Sequence, residues 1–168
     1  MALPTEPSLR PEPMAASEAD ISAIRAALGA AQRPLILTGP ALNATRAGEV
    51  LARLAEAVNA PVVSMESPRG LKDPSLGDFS QALANADLIV CLGKPVDFTV
   101  GFGGQAVCDE RCAWLVVSAD PAERDRAHRN LGARLERCVA ADPRAVATTL
   151  ASSPAAENRA GGARRWKV

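Results

Sequence analysis

The sequence predicts an α/β domain in three layers, a doubly wound parallel sheet of five to six strands with helices on both faces. Three observations carry this. Apolar strand-like runs begin at residues 34, 61, 87 and 114, at intervals of 27, 26 and 27 residues, which suits βαβ units. The runs are continuously apolar, as in Leu88-Ile89-Val90-Cys91-Leu92, rather than alternating; strands covered on both faces read this way. Helical periodicity fills much of the sequence between them. Right-handed crossovers wind such units into a Rossmann-like sheet.

The elements follow in order. Ser17-Glu18-Ala19-Asp20 has the spacing of a capping box, with Asp for the usual Glu. Ile21, Ile24 and Leu28 continue at helical spacing, and Gly29 is expected to end the run. Residues 34–38 form the first strand, broken by Gly39-Pro40. Asn43 caps a helix whose apolar stripe is Ala47, Leu51, Leu54, Ala55 and Val58, with Glu49 and Arg53 spaced to pair on the other face. Residues 61–65 make the second strand. A loop with Pro68, Gly70 and Pro74 leads to a short helix over 78–85. The third strand, 87–92, closes at Gly93. The glycine-rich loop at Gly101 to Gly104 is expected to be a mobile surface connection to the fourth strand, 114–118. Asp120-Pro121 starts a helix with Pro in its first turn. A weaker fifth strand, 135–140, and a helix over 143–150 complete the body.

The folded body should span residues 17–151. Residues 1–16 read as a linker, because four of the thirteen prolines (Pro4, Pro7, Pro11, Pro13) fall there and proline denies the chain helix and ladder bonds. Residues 152–168 read as a second, basic linker. The whole chain has 168 residues, 48% hydrophobic, with 19 basic and 19 acidic side chains. That is enough apolar material for one core. The balanced charge gives no footprint for nucleic acid or an anionic membrane. Aromatics are only 3%, too few for a base-stacking platform. No apolar run approaches the roughly 20 residues of a membrane span. The start lacks the basic and apolar regions of a signal peptide, so the expected location is cytoplasmic.

The chemistry-bearing residues are few. Cys108 and Cys112 are spaced C-x-x-x-C, which suits neither a zinc knuckle nor a redox pair, so no metal site is expected. Cys91 and Cys138 read as buried small hydrophobes. The single histidine, His128, lies in a charged and solvated stretch and is not expected to serve a nucleophile. Gly101, Gly103 and Ala106 match G-x-G-x-x-A, but eight residues past the third strand and without a following helix, so a phosphate cradle is not favoured. In a doubly wound sheet, ligands sit beyond the carboxyl ends of the strands. Those ends hold Gly39 and Pro40, Glu66 and Ser67, Gly93 and Lys94 with Asp97 beyond, and Ser118 to Asp120. Lys94 either neutralises a phosphate, as the main charge available to a diphosphate, or is simply an exposed lysine; both readings stand. Asp120 either accepts a ribose hydroxyl or caps the helix at Pro121; the cap is favoured, and the two are compatible.

Five segments carry a resemblance. Residues 33–39 (Arg-Pro-Leu-Ile-Leu-Thr-Gly), 54–63 (Leu-Ala-Glu-Ala-Val-Asn-Ala-Pro-Val-Val), 85–93 with Asp97, 117–123 (Val-Ser-Ala-Asp-Pro-Ala-Glu) and 141–146 (Ala-Asp-Pro-Arg-Ala-Val) stand in the order found in one family. Together they resemble the central domain of thiamine-diphosphate-dependent enzymes such as acetolactate synthase, oxalyl-CoA decarboxylase and benzoylformate decarboxylase. The resemblance covers about residues 33–150.

It implies the non-catalytic middle of a three-domain, homo-oligomeric lyase or synthase acting on 2-keto acids or acyl-CoA. The flanking pyrimidine-binding and diphosphate-binding domains would hold thiamine diphosphate and magnesium, which this chain alone would not bind. Some members bind FAD or ADP at the strand ends, which here would mean Gly39, Pro40, Gly93, Lys94, Asp97, Ser118 and Asp120. Gly39-Pro40 replaces the several glycines of flavin-binding members, Ser118 stands where an acid is common, and the segment after Gly77 is short. These departures argue against FAD and leave ADP open. The alternative readings are a free-standing nucleotide-binding domain and an interaction domain of the same topology.

Overall fold

The computed structural model describes residues 13–66 and 70–152. Most of the two expected linkers, together with Ser67 and Pro68, lies outside the described residues. The elements are α1 (Glu18–Ala30), β1 (Pro34–Thr38), α2 (Ala44–Val58), β2 (Val62–Ser64), α3 (Phe79–Asn85), β3 (Leu88–Leu92), β4 (Ala113–Val117), α4 (Pro121–Leu131), β5 (Leu135–Val139) and α5 (Pro143–Ala151). The five strands are all parallel, in the order β2-β1-β3-β4-β5. This is the flavodoxin-like variant of the doubly wound sheet, with its switch point between β1 and β3.

Two cores hold the layers. On one face Ile21, Ile24 and Leu28 of α1 pack with Leu51 and Leu54 of α2, Val146 and Leu150 of α5, and the Ile36, Val90 and Leu115 side of the sheet. On the other face Phe79 and Leu83 of α3 and Ala127 and Leu131 of α4 meet Leu35, Ile89 and Trp114. Adjacent strand residues serve opposite faces, so β1 and β3 are buried along their full length. That burial is why their sequences are continuously apolar. The edge strand β5 is covered less: Glu136 and Arg137 are exposed and Cys138 is only half-buried, so the expected burial of Cys138 is corrected.

The helix starts are local. The Ser17 hydroxyl accepts from the Asp20 amide at 3.1 Å, and the Asn43 carboxamide accepts from the Arg46 amide at 2.8 Å. The Asp20 carboxylate accepts from the Ser17 hydroxyl and from Arg137, tying α1 to β5. Gly29 does not end α1, which runs to Ala30. A glycine inside a helix costs only about 1 kcal/mol against alanine, and the chain turns away at the extended Ala31. On α2 the buried stripe uses Ala57 rather than Ala55. The expected Glu49–Arg53 pair forms on its exposed face.

The β3–β4 connection differs most from expectation. A short 3-10 stretch, Phe98–Gly103, kinked at Val100–Phe102, occupies the place of a crossover helix. It is packed rather than free. Val100 and Gly103 are buried, and a Cβ on Gly103 would lie 2.5 Å from Leu131. Arg134 donates to the Gly103 carbonyl, and the Asn130 carboxamide donates to the Val96 carbonyl at 2.7 Å.

Candidate functional site

The switch-point crevice is bounded by Gly39 after β1 and Gly93 after β3. The ladder continues through both: the Gly39 amide donates to Leu92 O at 3.1 Å, and the Gly93 amide donates to Val117 O at 2.9 Å. A Cβ on Gly39 would fall 1.9 Å from the Gly93 carbonyl oxygen. The two backbones therefore touch where a ligand in such a sheet enters. Gly93 has φ +67, and a Cβ there would meet the Pro143 ring of α5 at 2.9 Å. Pro40, exposed, opens a short helical turn that ends at Leu42, whose carbonyl accepts from the buried Thr38 hydroxyl at 2.9 Å.

Lys94 is turned inward. Its side chain is only 4% exposed, and its Nζ donates to Asp97 Oδ1 at 3.0 Å and to the Pro95 carbonyl at 2.8 Å. The same Asp97 oxygen accepts from the Thr99 amide at 3.0 Å and from the Thr99 hydroxyl. Burial alone would raise the Asp97 carboxyl; the Thr99 hydrogen bonds and the Lys94 charge outweigh it and hold the group below its ordinary range. The lysine expected either to face a diphosphate or to be exposed is thus the internal brace of the β3–β4 turn.

Ser118 and Asp120 form a third group. Ser118 Oγ accepts from the Asp120 amide at 3.2 Å, and Asp120 Oδ1 accepts from the Ala122 amide at 2.8 Å. The favoured cap is present. Arg124 donates to the carbonyls of Ser118 and Ala119, both at 2.9 Å. Asp142 plays the same part for α5, accepting from Arg144 N at 2.7 Å and Ala145 N at 3.3 Å. Sequence reasoning singled out Asp120 and passed over Asp142, although each precedes a proline at a helix start.

Helix N-termini attract phosphates through unpaired amides and the helix dipole. Here carboxylates of the chain itself occupy those amides, at Asp120 and Asp142 on the two helices and at Asp97 on the short turn. A second negative group at the same amides would be repelled. A carboxylate already held at the Ala122, Arg144 and Thr99 amides disfavours a phosphate at those atoms.

A cavity lies at the opposite, amino edge of the sheet. It is an open cleft of about 430 Å³ lined by Gln32, Arg33, Asn85, Asp87, Asp109 and Arg111, among others. Its charges are engaged locally. Asp87 accepts from the amides of Gln32 and Arg33 at 2.7 and 2.8 Å, joining the starts of β1 and β3. The Arg33 Nε donates to the Asn85 carbonyl, and Arg111 pairs with Asp109 at 3.1 Å. The Arg111 side-chain and backbone hydrogen bonds hold the Asp109 carboxyl down to about 2. Sequence reasoning placed Asp87 inside a strand; it is a clamp just before one.

Among the described residues no three His, Cys, Asp or Glu side chains gather as metal ligands, and all four cysteines are free thiols. Burial pushes the Cys91 and Cys112 thiols up to about 12. At pH 8 both should survive iodoacetamide in the native protein and react only after unfolding, because the thiolate is the nucleophile. Rapid native modification of Cys91, read by mass spectrometry, would contradict this burial.

A parallel sheet of this order, with helices on both faces, defines a Rossmann-like α/β domain. The family follows from comparison. The chain belongs to the family described as thiamine pyrophosphate enzyme, central domain, which matches residues 21–150. It is 38% identical over 82 residues to the acetolactate synthase large subunit of Mycobacterium tuberculosis and, equally, to a probable acetolactate synthase of Mycobacterium bovis. The match covers 46% of this chain and 15% of each relative. The fold is shared with a thiamine diphosphate-dependent 4-hydroxybenzoylformate decarboxylase from Rhodococcus jostii (TM-score 0.61, 24% identity, 92% of this chain and 32% of that one). It is shared too with benzoylformate decarboxylase from Polynucleobacter necessarius (TM-score 0.62, 20% identity, 95% and 32%). The chain thus spans less than a third of the length of these proteins. No helix among the described residues is long and apolar enough to cross a membrane.

Proposed function

We propose that this domain, residues 17–151, is the non-catalytic middle of a thiamine-diphosphate-dependent lyase or synthase acting on 2-keto acids or acyl-CoA. The whole enzyme is cytoplasmic and homo-oligomeric, with residues 1–16 and 152–168 linking to the pyrimidine-binding and diphosphate-binding domains. Within it this chain packs and spaces the catalytic domains. The observation that carries the reading is the family match over 21–150; the self-capped carboxyl edge is consistent with it.

Calorimetry of this chain with thiamine diphosphate and magnesium tests the reading. We expect no binding in the micromolar range and no decarboxylation of 2-keto acids. Micromolar affinity, or turnover, would overturn it.

An adenine nucleotide has one feature in its favour, the β1/β3 switch point. Against it stand the Gly39–Gly93 contact, the inward Lys94 and the occupied helix amides. We assign Gly39, Gly93, Lys94, Asp97, Ser118 and Asp120 structural roles, and Pro40 the start of its turn. Neither ADP nor FAD is part of this reading. Saturable ADP binding that weakens in Lys94→Ala would restore the nucleotide site.

A further inference from the structure

The large apolar side chains left exposed among the described residues are Met14, Phe98 and Phe102. Single exposed apolar residues are ordinary. Phe98 and Phe102 differ in that they belong to one short connection, four residues apart in the chain, and are 62% and 53% exposed.

The backbone beneath them is unusual. Gly101, Phe102 and Gly103 have φ of +57, +55 and +66. Left-handed conformation costs a residue with a Cβ roughly 1–2 kcal/mol, and here an aromatic residue takes it between two glycines. The turn is also braced. The Phe102 amide donates to the Asp97 carbonyl at 2.8 Å, and Gly104 N donates to Gly101 O at 2.9 Å. The buried Lys94–Asp97 pair lies below, and Arg134 holds the Gly103 carbonyl. A Cβ on Gly70 would sit 2.3 Å from the Thr99 oxygen, so the preceding loop is packed against the turn. The fold thus holds two aromatics outward on a rigid support at a conformational cost that glycine or asparagine would avoid. Strain retained in this way points to use, and exposed aromatics are the residues that anchor interfaces.

The size of the patch identifies the occupant. Two half-exposed phenylalanines offer on the order of 200 Å², whereas a stable complex of independent partners buries about 800 Å² on each side. A patch this small works when the partner is tethered, because a covalent linker supplies an effective concentration in the millimolar range. We infer that the Phe98/Phe102 turn is the seat of a neighbouring catalytic domain of the same polypeptide, which receives the two rings in an apolar pocket. This rests on the middle-domain reading above.

The test compares the 168-residue chain with the whole enzyme expressed from the gene with its flanking coding sequence. Hydroxyl-radical footprinting should show Phe98 and Phe102 oxidised several-fold more slowly in the whole enzyme. The double variant Phe98→Ser/Phe102→Asn keeps a residue that tolerates left-handed backbone. It should leave the unfolding midpoint of the short chain unchanged or higher and lower that of the whole enzyme. Equal oxidation in both proteins overturns the inference and leaves the middle-domain reading intact. An equal loss of midpoint in both assigns the rings to the domain's own stability and also overturns it. A dimer of the short chain in sedimentation, abolished by the double variant, gives the patch to a second copy. Flanking sequence without thiamine-diphosphate domains removes the reading itself, and this inference with it.

Discussion

Gly39→Ala should lower the stability of the chain by about 3 kcal/mol or more, at the upper end of overpacking effects. The backbone at Gly39 is extended, with φ −86 and ψ −179, so alanine meets no conformational objection. The cost is steric. The new Cβ would lie 1.9 Å from Gly93 O and 2.6 Å from Gly93 C. Both are backbone atoms next to the Thr38–Leu92 register pair, so relief requires β1 and β3 to part at the end of their ladder. In urea, with a slope of about 2 kcal/mol per molar for a domain of this size, the midpoint should fall by roughly 1.5 M. Gly48→Ala is the control. Gly48 sits within α2 with nothing within 4 Å of its added Cβ, and it should gain about 0.5–1 kcal/mol. A neutral Gly39→Ala would mean that the crevice has room, and a ligand there would again be admissible.

The second large effect belongs to Lys94. Removing one member of a buried ion pair typically costs 3–5 kcal/mol because the other charge is left uncompensated. Here the Asp97 side chain keeps 21% exposure and its Thr99 bonds, so Lys94→Met should cost less, about 2 kcal/mol. A double-mutant cycle of Lys94→Met with Asp97→Asn should give a coupling of about 1–3 kcal/mol. Coupling near zero would mean that the two side chains act independently and that Lys94 is free for another partner.

The pair also fixes a pH dependence. The Asp97 carboxyl is held below its ordinary value in the folded state, so the native state binds its proton less readily than the unfolded chain does. Its stabilisation is complete above the unfolded value of about 3.9 and is lost as pH falls through the lower folded value. Wild type should therefore lose more stability below about pH 4 than Asp97→Asn does. Parallel acid-unfolding curves for the two proteins would contradict the assignment.

Much of the fold was legible because it is written locally. The continuous runs at β1, β3 and β4 are apolar because both faces of those strands are covered, and no knowledge of neighbours is needed to see this. Ser17, Asn43, Asp120 and Asp142 stand directly before the helices they cap, so short-range hydrogen bonding marks those boundaries. The site was less legible. A lysine just past a strand end reads as exposed, and only the folding back of the Phe98–Gly103 turn turns its ammonium inward. The same turn sorts its side chains: Val96 and Val100 are buried while Phe98 and Phe102 face out.

The residues taken alone thus determined that this is a parallel α/β domain, where most of its elements begin, and which family it resembles. Each of those properties sums over a contiguous segment. What tertiary structure alone decided is the state of the crevice and of its charges. Gly39 and Gly93 are 54 positions apart, and their contact exists because β1 and β3 are neighbours in the sheet. Glycine is required there by a carbonyl from another strand, a constraint that no local pattern encodes. Burial likewise comes from distant segments closing over a group, so only the folded chain decides whether a lysine meets water, a phosphate or its own aspartate.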